Sequence, residues 1–307
     1  MKIEFNTPLG VYAAWRHNEI ARQKSSSGGL ASAISEKWIE NGGAVYGAAF
    51  ESPFSFKHIR CTTTDELNKL RGSKYVQSSI QGIFKSIAND LQKGLKVLFI
   101  GTPCQVASVK TKFKKHECLF TIDIICHGTP KVDLLKESIP KQYLSYDFDN
   151  VSFRDNAIFK ISFLKNNQVV WQRPLSHDLY MKGFFKAVFY RECCYQCPYA
   201  KESRVSDMTL GDFWGLDMQS VETTMDKGIS LVLVNTDKGN VLFRSVEDLI
   251  DCKKRPLQEA VSGNNQLRHP MPLTWRHKIF KRLYPKIGFK WAAVLAMPDI
   301  VIKNLLK

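Results

Sequence analysis

The sequence predicts a mixed α/β (α+β) fold, and three observations carry this prediction. The short apolar runs 96–100 (KVLFI) and 118–126 (CLFTIDIIC) are separated by a helical stretch, which is the pattern of a βαβ unit. The segment 27–42 has the spacing of an amphipathic helix, and a strand-like run follows it directly. Two further strand candidates and a helix lie beyond residue 206. We therefore expect mixed sheets with flanking helices and a cofactor cleft at the carboxyl ends of the strands.

Helices and strands alternate in the N-terminal third of the chain. Leu30, Ile34 and Trp38 recur every four residues, so they predict one apolar helix face within 27–42, and Gly42 predicts the end of that helix. The run AVYGAAF predicts the strand that follows. The other elements predicted here are a polar strand at 58–63, a short helix at 64–70 and an amphipathic helix at 80–92 that ends at Gly94.

The remainder of the chain predicts a β-hairpin and further α/β elements. Residues 151–175 alternate around the pair Asn166-Asn167, which is typical of a hairpin turn. The later predicted elements are a helix at 181–190, strands at 208–213 and 228–236, and a helix at 240–249. We expect an N-terminal α/β part over 1–95, a second α/β part over 96–255 and a basic helical tail over 256–307.

Composition restricts the class of protein. A chain of 307 residues with 44% hydrophobic residues can bury a substantial core. It shows neither a secretory signal nor an apolar stretch of about 18 residues, so we expect a cytoplasmic protein. Eight irregularly spaced cysteines in a chain of this size predict reduced thiols or metal ligands. The formal charge of +15 favours acidic partners.

The segment 271–307 differs from the rest of the chain because it interleaves large apolar side chains with many basic ones. Its large apolar residues include Trp275, Phe280, Leu283, Phe289, Trp291 and Leu295. We expect a helical extension that packs on the body of the protein. Peripheral contact with a membrane surface, or with a partner, is the alternative. Pro298 and Asp299 interrupt the apolar part, so we do not expect the tail to span a bilayer.

Four cysteines stand in positions suited to a metal site. Cys104 and Cys126 lie at the ends of the two predicted parallel strands, and Cys104 also opens a helix, where backbone amides favour a thiolate. Cys194 and Cys197 form a CxxC turn that completes four soft ligands if it lies over the same sheet edge. Either a [4Fe-4S] cluster or a structural zinc ion takes such a set. Cys193 competes with Cys194 as a ligand. The other cysteines, Cys61, Cys118 and Cys252, are interpreted as plain thiols.

The turn SSSGG at 25–29 opens a predicted helix, and such a helix start offers amides and hydroxyls to a phosphate group. A simple helix N-cap explains the same residues. The chain has neither GxGxxG nor GxxxxGK[ST], so the sequence does not support a Rossmann dinucleotide site or a P-loop.

A set of motifs, read in order, resembles one known family. They are SSSGG at 25–29, RGSKYVQS at 71–78, IGTPCQVA at 100–107, ICHGTP at 125–130, FRD at 153–155, CCYQCPYA at 193–200, SDMTLGDFWG at 206–215 and GISLVLVNTDKG at 228–239. The chain resembles the beta-subunit family of hydrogenases and dehydrogenases that reduce coenzyme F-420, a deazaflavin. The resemblance covers about residues 10–250.

The resemblance implies a flavoprotein that holds FAD and a [4Fe-4S] cluster. It implies that Cys104, Cys126, Cys194 and Cys197 are the cluster ligands. It also implies an FAD site lined by Ser26, Ser27, Gly28, Gly29, Ser73, Lys74, Tyr75 and Gln77. In these terms 1–95 is a flavin-binding part, and 96–255 is an iron-sulphur and flavin part. The sequence identifies no catalytic residue.

Several polar residues near these motifs have two interpretations. His127 relays a proton or tunes a cluster, or it satisfies a backbone carbonyl. Arg154 with Asp155, and Asp212 with Trp214, touch flavin or substrate, or they form structural ion pairs and strand-end packing. We assign none of them a catalytic role.

The leading functional hypothesis is an oxidoreductase that moves electrons between a ferredoxin-like carrier, or a separate redox subunit, and a deazaflavin or another small organic substrate. Many relatives carry an N-terminal ferredoxin-like module with CxxCxxCxxxCP repeats that this sequence lacks, so we expect electrons to come from another protein. Similar proteins encoded with surface-polysaccharide assembly leave the substrate open. The rival hypothesis is a non-catalytic, zinc-stabilised protein whose basic surface binds an anionic polymer or membrane. We expect no nucleic-acid binding, because no nucleic-acid motif is present.

Overall fold

The computed structural model describes residues 4–52, 54–114, 116–155 and 158–299. Within them the strands are β1 (Gly10–Arg16), β2 (Ala44–Glu51), β3 (Ser55–Cys61), β4 (Val97–Gly101), β5 (Leu119–Ile124), β6 (Asn150–Asp155), β7 (Ile158–Lys165), β8 (Gln168–Pro174), β9 (Met208–Asp212), β10 (Ser230–Val234) and β11 (Ile250–Lys254). The helices are α1 (Glu19–Gln23), α2 (Leu30–Glu40), α3 (Ile83–Gln92), α4 (Pro103–Phe113), α5 (Val132–Ser138), α6 (Leu179–Phe185), α7 (Asp237–Arg244), α8 (Leu257–Gly263) and α9 (Trp275–Ala296).

An eight-stranded mixed sheet forms the body of the protein, with the strand order β11-β1-β10-β9-β5-β4-β2-β3. Its centre, β9-β5-β4-β2, is parallel, whereas the outer pairs are antiparallel. The predicted mixed α/β fold and its βαβ unit are confirmed, because β4 and β5 are parallel neighbours linked by α4. Strands from both 1–95 and 96–255 share this sheet.

Helices cover both faces of the large sheet. The predicted apolar face of α2 is buried, with Leu30, Ile34 and Trp38 packed against Leu98 and Val232 on one side of the sheet. On the other side, α3 and α4 pack in a separate cluster of buried residues. Burial of these apolar side chains is the main force that holds the layers together.

A smaller antiparallel sheet, β6-β7-β8, lies outside the large one. The predicted hairpin is confirmed as β7 and β8, and its turn residues Asn166 and Asn167 have φ values of 51° and 61°. Both angles are those of a type I′ turn, which the Asn pair tolerates. The third strand, β6, was not resolved as a separate element by the sequence pattern. This sheet shares a core with α5, α6 and α9 that includes Phe153 and Phe163.

Several elements differ from the prediction. The sequence pattern did not reveal β1, whose buried small residues Ala13 and Ala14 lack an alternating pattern. The helix predicted at 240–249 begins earlier, because the Thr236 side chain caps α7 by accepting from the Gly239 amide. The helix predicted at 181–190 ends at Phe185, and Ala187 beyond it has a left-handed φ of 51°.

Helix α9 lies in the predicted tail and packs on the smaller sheet and its helices, and it is kinked at Gly288, whose φ of 71° is not helical. Its residues Phe280, Phe289, Ala292, Ala293 and Ala296 are buried in the shared core. The predicted tail residues 300–307 lie outside the described part of the chain. Among the described residues, no helix is both long and apolar enough to cross a bilayer.

Candidate functional site

The predicted cysteine ligands come together at the carboxyl edge of the large sheet. Because β4 and β5 are parallel neighbours, the segments that follow them carry Cys104 and Cys126 to the same edge. The CxxC turn, which precedes β9, completes the arrangement. A cavity of ≈ 110 Å³ is lined by Cys104, Cys126, Cys193, Cys194 and Cys197, with His127 and Arg204 among its other residues.

Electrostatics indicate that the four sulphurs are neighbours. Burial raises the pKa of the Cys126 thiol far above its usual range, and the nearby Cys104, Cys194 and Cys197 thiolates raise it further. Four thiolates that repel one another need a compensating positive charge to coexist. The arrangement therefore favours a bound cationic centre.

Backbone amides point at these sulphurs. Burial raises the pKa of Cys194 and of Cys197, and backbone N–H donors from Thr129 and from residues 199 and 200 lower it again. The Gly128 amide donates to Cys126 in the same way. Hydrogen bonds to cysteine sulphur stabilise the thiolate and are one means by which proteins set the potential of an iron-sulphur cluster.

Gly128 permits a close approach at this turn. Its φ is +132°, and a Cβ at this position would lie 2.4 Å from the Tyr190 ring. The turn that carries the amide to Cys126 therefore packs directly on an aromatic side chain, and only glycine fits there.

Arg204 is a site residue that the sequence analysis missed. It is 2% exposed and pairs with the fully buried Asp123 at 3.0 Å. Its guanidinium also donates to the carbonyls of Tyr199 and Lys201 at 3.1 Å, so it anchors the segment directly after the CxxC turn. It further lowers the pKa of Cys197. A lone arginine between two motifs gave no signal from which the sequence analysis could have found it.

Cys193 and Cys194 both line the cavity of ≈ 110 Å³. The Cys194 sulphur lies 4.0 Å from the Thr129 hydroxyl and raises the pKa of Cys126, whereas Cys193 is exposed, as Cys104 also is. Cys61 is buried in the large sheet, and Cys252 is exposed on β11. Cys104, Cys126, Cys194 and Cys197 therefore stay the predicted ligand set, and Cys193 stays the alternative to Cys194.

The donor set fits a metal centre in its chemistry. Four thiols are the ligands that both a [4Fe-4S] cluster and a structural zinc ion take. Among the described residues, no group of three or more histidine, cysteine, aspartate or glutamate side chains is arranged to hold a metal ion. Tetrahedral zinc requires its sulphurs within about 4 Å of one another. A four-iron cluster is larger, with one thiolate at each iron, so its ligands stand further apart.

The two segments implied in flavin binding contact each other. The Ser26 hydroxyl accepts a hydrogen bond of 2.7 Å from the Ser73 backbone amide, and Ser27 donates to the Ile229 carbonyl. Gly29 is the N-cap of α2 in a left-handed conformation, and no serine side chain caps this helix. The simple N-cap interpretation therefore does not account for the serines. Gly28 is required by packing, since a Cβ there would lie 2.3 Å from the Ala14 carbonyl oxygen.

The rest of the segment 73–77 runs from this turn toward the cysteines. Lys74 donates to the carbonyls of residues 69, 70 and 71, and burial lowers its pKa to about 7. Tyr75 stacks on Phe184 with ring centroids 4.7 Å apart. The Gln77 amide donates to the Pro130 carbonyl at 3.0 Å, in the loop that follows Cys126. The segment therefore bridges the SSSGG turn and the cysteine loop.

Three of the polar residues left open by the sequence, His127, Arg154 and Asp212, lie together. Arg154 forms an ion pair with Asp212 at 2.8 Å and lies over the Phe159 ring. Burial lowers the pKa of His127, and Asp212 opposes that shift. Asp155 pairs with Lys160 on the smaller sheet. Trp214 is 40% exposed. His127 and the Arg154–Asp212 pair therefore lie near the cysteine site, whereas Asp155 is bound elsewhere.

A larger cavity of ≈ 510 Å³ lies beside the carboxyl end of β1, among residues that include Trp15, Arg22 and Asp251. None of the predicted cysteine or flavin residues lines it. The thiols, the amide donors and the buried arginine all lie at the smaller cavity, so the chemistry of the site is there.

Comparison with protein-family models decides the family. The model for the C terminus of the coenzyme F420 hydrogenase/dehydrogenase beta subunit matches residues 94–259, and the model for the N-terminal part of the same protein matches residues 11–85. The chain belongs to this family. The family resemblance inferred from the motifs is thereby confirmed, and the chain is an oxidoreductase subunit of the hydrogenase and dehydrogenase type.

This F420 hydrogenase/dehydrogenase beta-subunit family member also matches solved structures. One is a chain of the xenon-derivatised F420-reducing [NiFe] hydrogenase complex from Methanosarcina barkeri, with a TM-score of 0.57 and 18% identity. The match covers 87% of this chain and 93% of that chain, which shows a shared fold. No curated protein sequence matches the chain.

Proposed function

We propose that the protein is an FAD- and [4Fe-4S]-dependent oxidoreductase. It moves electrons between a ferredoxin-like carrier, or a separate redox subunit, and a deazaflavin or another small organic substrate. The convergence of Cys104, Cys126, Cys194 and Cys197 from three separate segments carries this proposal. Membership of a family of hydrogenase and dehydrogenase subunits supports it.

The chain's own residues would hold and tune the two groups. When bound, the cluster supplies one-electron transfer and the flavin supplies hydride transfer. Four thiolates bind the cluster, and the amides of Gly128 and Thr129 stabilise the sulphurs. Arg204 fixes the segment after the CxxC turn and adds positive charge beside Cys197.

In this proposal the flavin-binding turns come from 1–95 and the cluster ligands come from 96–255. The contact between Ser26 and Ser73 brings the two implied flavin segments together. The hydrogen bond from the Gln77 backbone amide to the Pro130 carbonyl joins segment 73–77 to the cysteine loop, which supports a flavin close to the cluster ligands. Short separation between two redox groups is what electron exchange requires.

The partner and the substrate are proposed from charge and likeness. A solved structure with the same fold belongs to an F420-reducing [NiFe] hydrogenase complex, which supports a separate redox subunit and a deazaflavin substrate here. The net charge of +15 favours an acidic electron carrier. A role in polysaccharide assembly rests on the resemblance of the sequence alone.

Anaerobic purification tests the proposal. The protein should have a visible spectrum of flavin and iron-sulphur cluster, and iron, acid-labile sulphide and released flavin should be present in defined ratios. A colourless protein that contains zinc and no sulphide would support the rival hypothesis of a zinc-stabilised binding protein.

A further inference from the structure

The outward side of α9 carries large apolar residues that the proposed redox site does not use. Trp291 is 59% exposed, and Leu295, one helical turn later, is 51% exposed. Ile287 is also exposed, as is Trp275 at the start of the helix. Exposed tryptophan and leucine on one helix usually indicate a contact surface.

The segment of α9 that follows the kink at Gly288 is anchored to the protein by its opposite side. Phe289, Ala292, Ala293 and Ala296 are buried, and they repeat at intervals of three and four residues. Trp291 and Leu295 fall between these positions, on the other side of the helix. Packing against the body therefore does not explain the two exposed apolar residues.

Positive charge dominates the exposed part of α9. Its sequence contains six lysine or arginine residues and no acidic residue. Lys281 pairs with Glu192, and Arg276 pairs with Asp299. The other four, Lys278, Arg282, Lys286 and Lys290, form no ion pair within the described part of the chain.

We propose that α9 docks the protein on an anionic lipid surface, with Trp291 and Leu295 inserted at the headgroup level. Tryptophan favours the membrane interface because its ring is amphipathic, and lysine stems cover apolar surface while their ammonium groups reach lipid phosphates. Basic residues near an anionic bilayer add attraction that salt screens.

Two features favour a lipid surface over a protein partner. Trp291 and Leu295 project from the short helical segment that follows the kink at Gly288, not from a groove that would enclose a partner segment. The basic residues left unpaired within the described part of the chain, at 278, 282, 286 and 290, lead directly up to Trp291 in the sequence, so positive charge adjoins the exposed apolar residues. The helix also lies beyond residue 259, where the match to the family model ends. The surface is therefore additional to the part of the chain that defines the family.

Co-sedimentation of the full chain with vesicles tests the proposal. Vesicles of phosphatidylcholine mixed with phosphatidylglycerol should retain the wild type at low salt, whereas pure phosphatidylcholine vesicles should not. The triple variant Lys278→Glu, Arg282→Glu, Lys286→Glu should lose affinity for the mixed vesicles by about tenfold or more. The variant Trp291→Ala, which leaves all charges in place, should weaken binding and remove any shift in tryptophan emission caused by vesicles.

A matched control carries three reversed charges on other exposed lysines: Lys112→Glu, Lys253→Glu, Lys254→Glu. It should bind vesicles more tightly than the α9 variant. Equal loss in both triple variants would overturn the proposal, because net charge alone would then explain binding. Wild-type protein that stays in solution with anionic vesicles at low salt, or binds both vesicle types equally, would also overturn it. Circular dichroism and thermal unfolding of each variant check that its helix content and stability match those of the wild type.

Discussion

The side-chain Nε2 of Gln105 donates a hydrogen bond of 2.9 Å to the backbone carbonyl of Ser78. Its Oε1 accepts from the Thr102 amide at 2.9 Å, at the start of the helix that carries Cys104. One buried amide therefore joins the cysteine loop after β4 to the end of the segment implied in flavin binding. The Gln105 side chain therefore fixes the position of the cysteine loop relative to the segment implied in flavin binding.

We predict that Gln105→Leu disturbs both halves. It leaves the Ser78 carbonyl and the Thr102 amide without this partner, which costs about 1–3 kcal/mol in the free energy of unfolding. Iron and flavin content should both fall, as measured on protein purified anaerobically. Gln92→Leu, at an exposed position on α3, is the control and should change neither. Unchanged cofactor content and stability in Gln105→Leu would show that the bridge is dispensable.

His58 gives the protein a predictable acid sensitivity. It lies behind Ser78, is 3% exposed and stacks on Phe99, and burial lowers its pKa from 6.5 to about 4. Between these pH values the unfolded chain binds a proton at this residue that the folded chain does not, so stability falls as the pH is lowered through this window. The shift corresponds to about 3 kcal/mol.

Denaturant unfolding followed at several pH values measures this effect. As the pH is lowered from about 6.5 to about 4, the free energy of unfolding should fall less for His58→Gln than for the wild type. His177→Gln, at an exposed position, should behave as the wild type. If the wild type and His58→Gln lose stability in parallel, the buried histidine does not titrate as its surroundings indicate.

The cysteine set makes a specific prediction for metal content. Cys104→Ser, Cys126→Ser, Cys194→Ser and Cys197→Ser should each lose most of the iron, because each removes one of four thiolates. Cys61→Ser and Cys252→Ser should keep it, since one is buried in the sheet and the other is exposed on β11. Full iron in Cys194→Ser together with loss in Cys193→Ser would move the ligand to the neighbouring position.

Flavin binding at the SSSGG turn is best tested at Ser26. Gly28 is unsuitable for this purpose, because any side chain there collides with the Ala14 carbonyl oxygen whether or not a flavin binds. Ser26→Ala removes the acceptor for the Ser73 amide, and we expect several-fold weaker FAD binding. Ser262→Ala on α8 is the control. Fluorescence titration with FAD after cofactor release gives the comparison, and equal affinity in the two variants would place the flavin elsewhere.

Electrostatic docking predicts a salt effect on electron delivery. An acidic ferredoxin should reduce the protein more slowly as salt rises, since the Debye length shrinks to about 10 Å at 0.1 M ionic strength. Reduction by dithionite, a small donor, should change less. Stopped-flow rates with both donors make the comparison. A rate with ferredoxin that is flat across the salt series would remove the charge argument and leave the cysteine assignment untouched.

The sequence predicted those parts of the fold that depend on local patterns. The βαβ unit around α4 and the apolar face of α2 follow from periodicity, and the Asn166-Asn167 hairpin follows from turn chemistry. The strand β1 was missed because its partners, β10 and β11, lie far away in the chain. A strand of this kind is stabilised by tertiary contacts, which no short window of sequence contains.

The sequence predicted the candidate site residues whose type itself suggests a chemical role. It did not predict the residues that only hold those side chains in position. Cysteines at strand ends and in a CxxC turn predict a metal site from the sequence alone. Gln105 and Arg204 hold the surrounding loops through bonds to distant backbone carbonyls. An amide or guanidinium of this sort looks like any other polar residue until the fold places its partners. The family resemblance named Lys74 from its motif, but it did not reveal the contacts of this side chain. In the structure, its buried ammonium group donates hydrogen bonds to three backbone carbonyls of the preceding turn.

The position of β1 between β10 and β11 constrains how the protein is made. Ser27 donates to the carbonyl of Ile229, a residue 202 positions later in the chain, and Gly28 packs against Ala14 and Ser230. While the ribosome is still translating the middle of the chain, the residues that pack against the SSSGG turn have not yet been synthesised. Such distant pairings also slow folding, because a long loop must close before they form. Residues up to about 230 must therefore leave the ribosome before this turn has its packing partners.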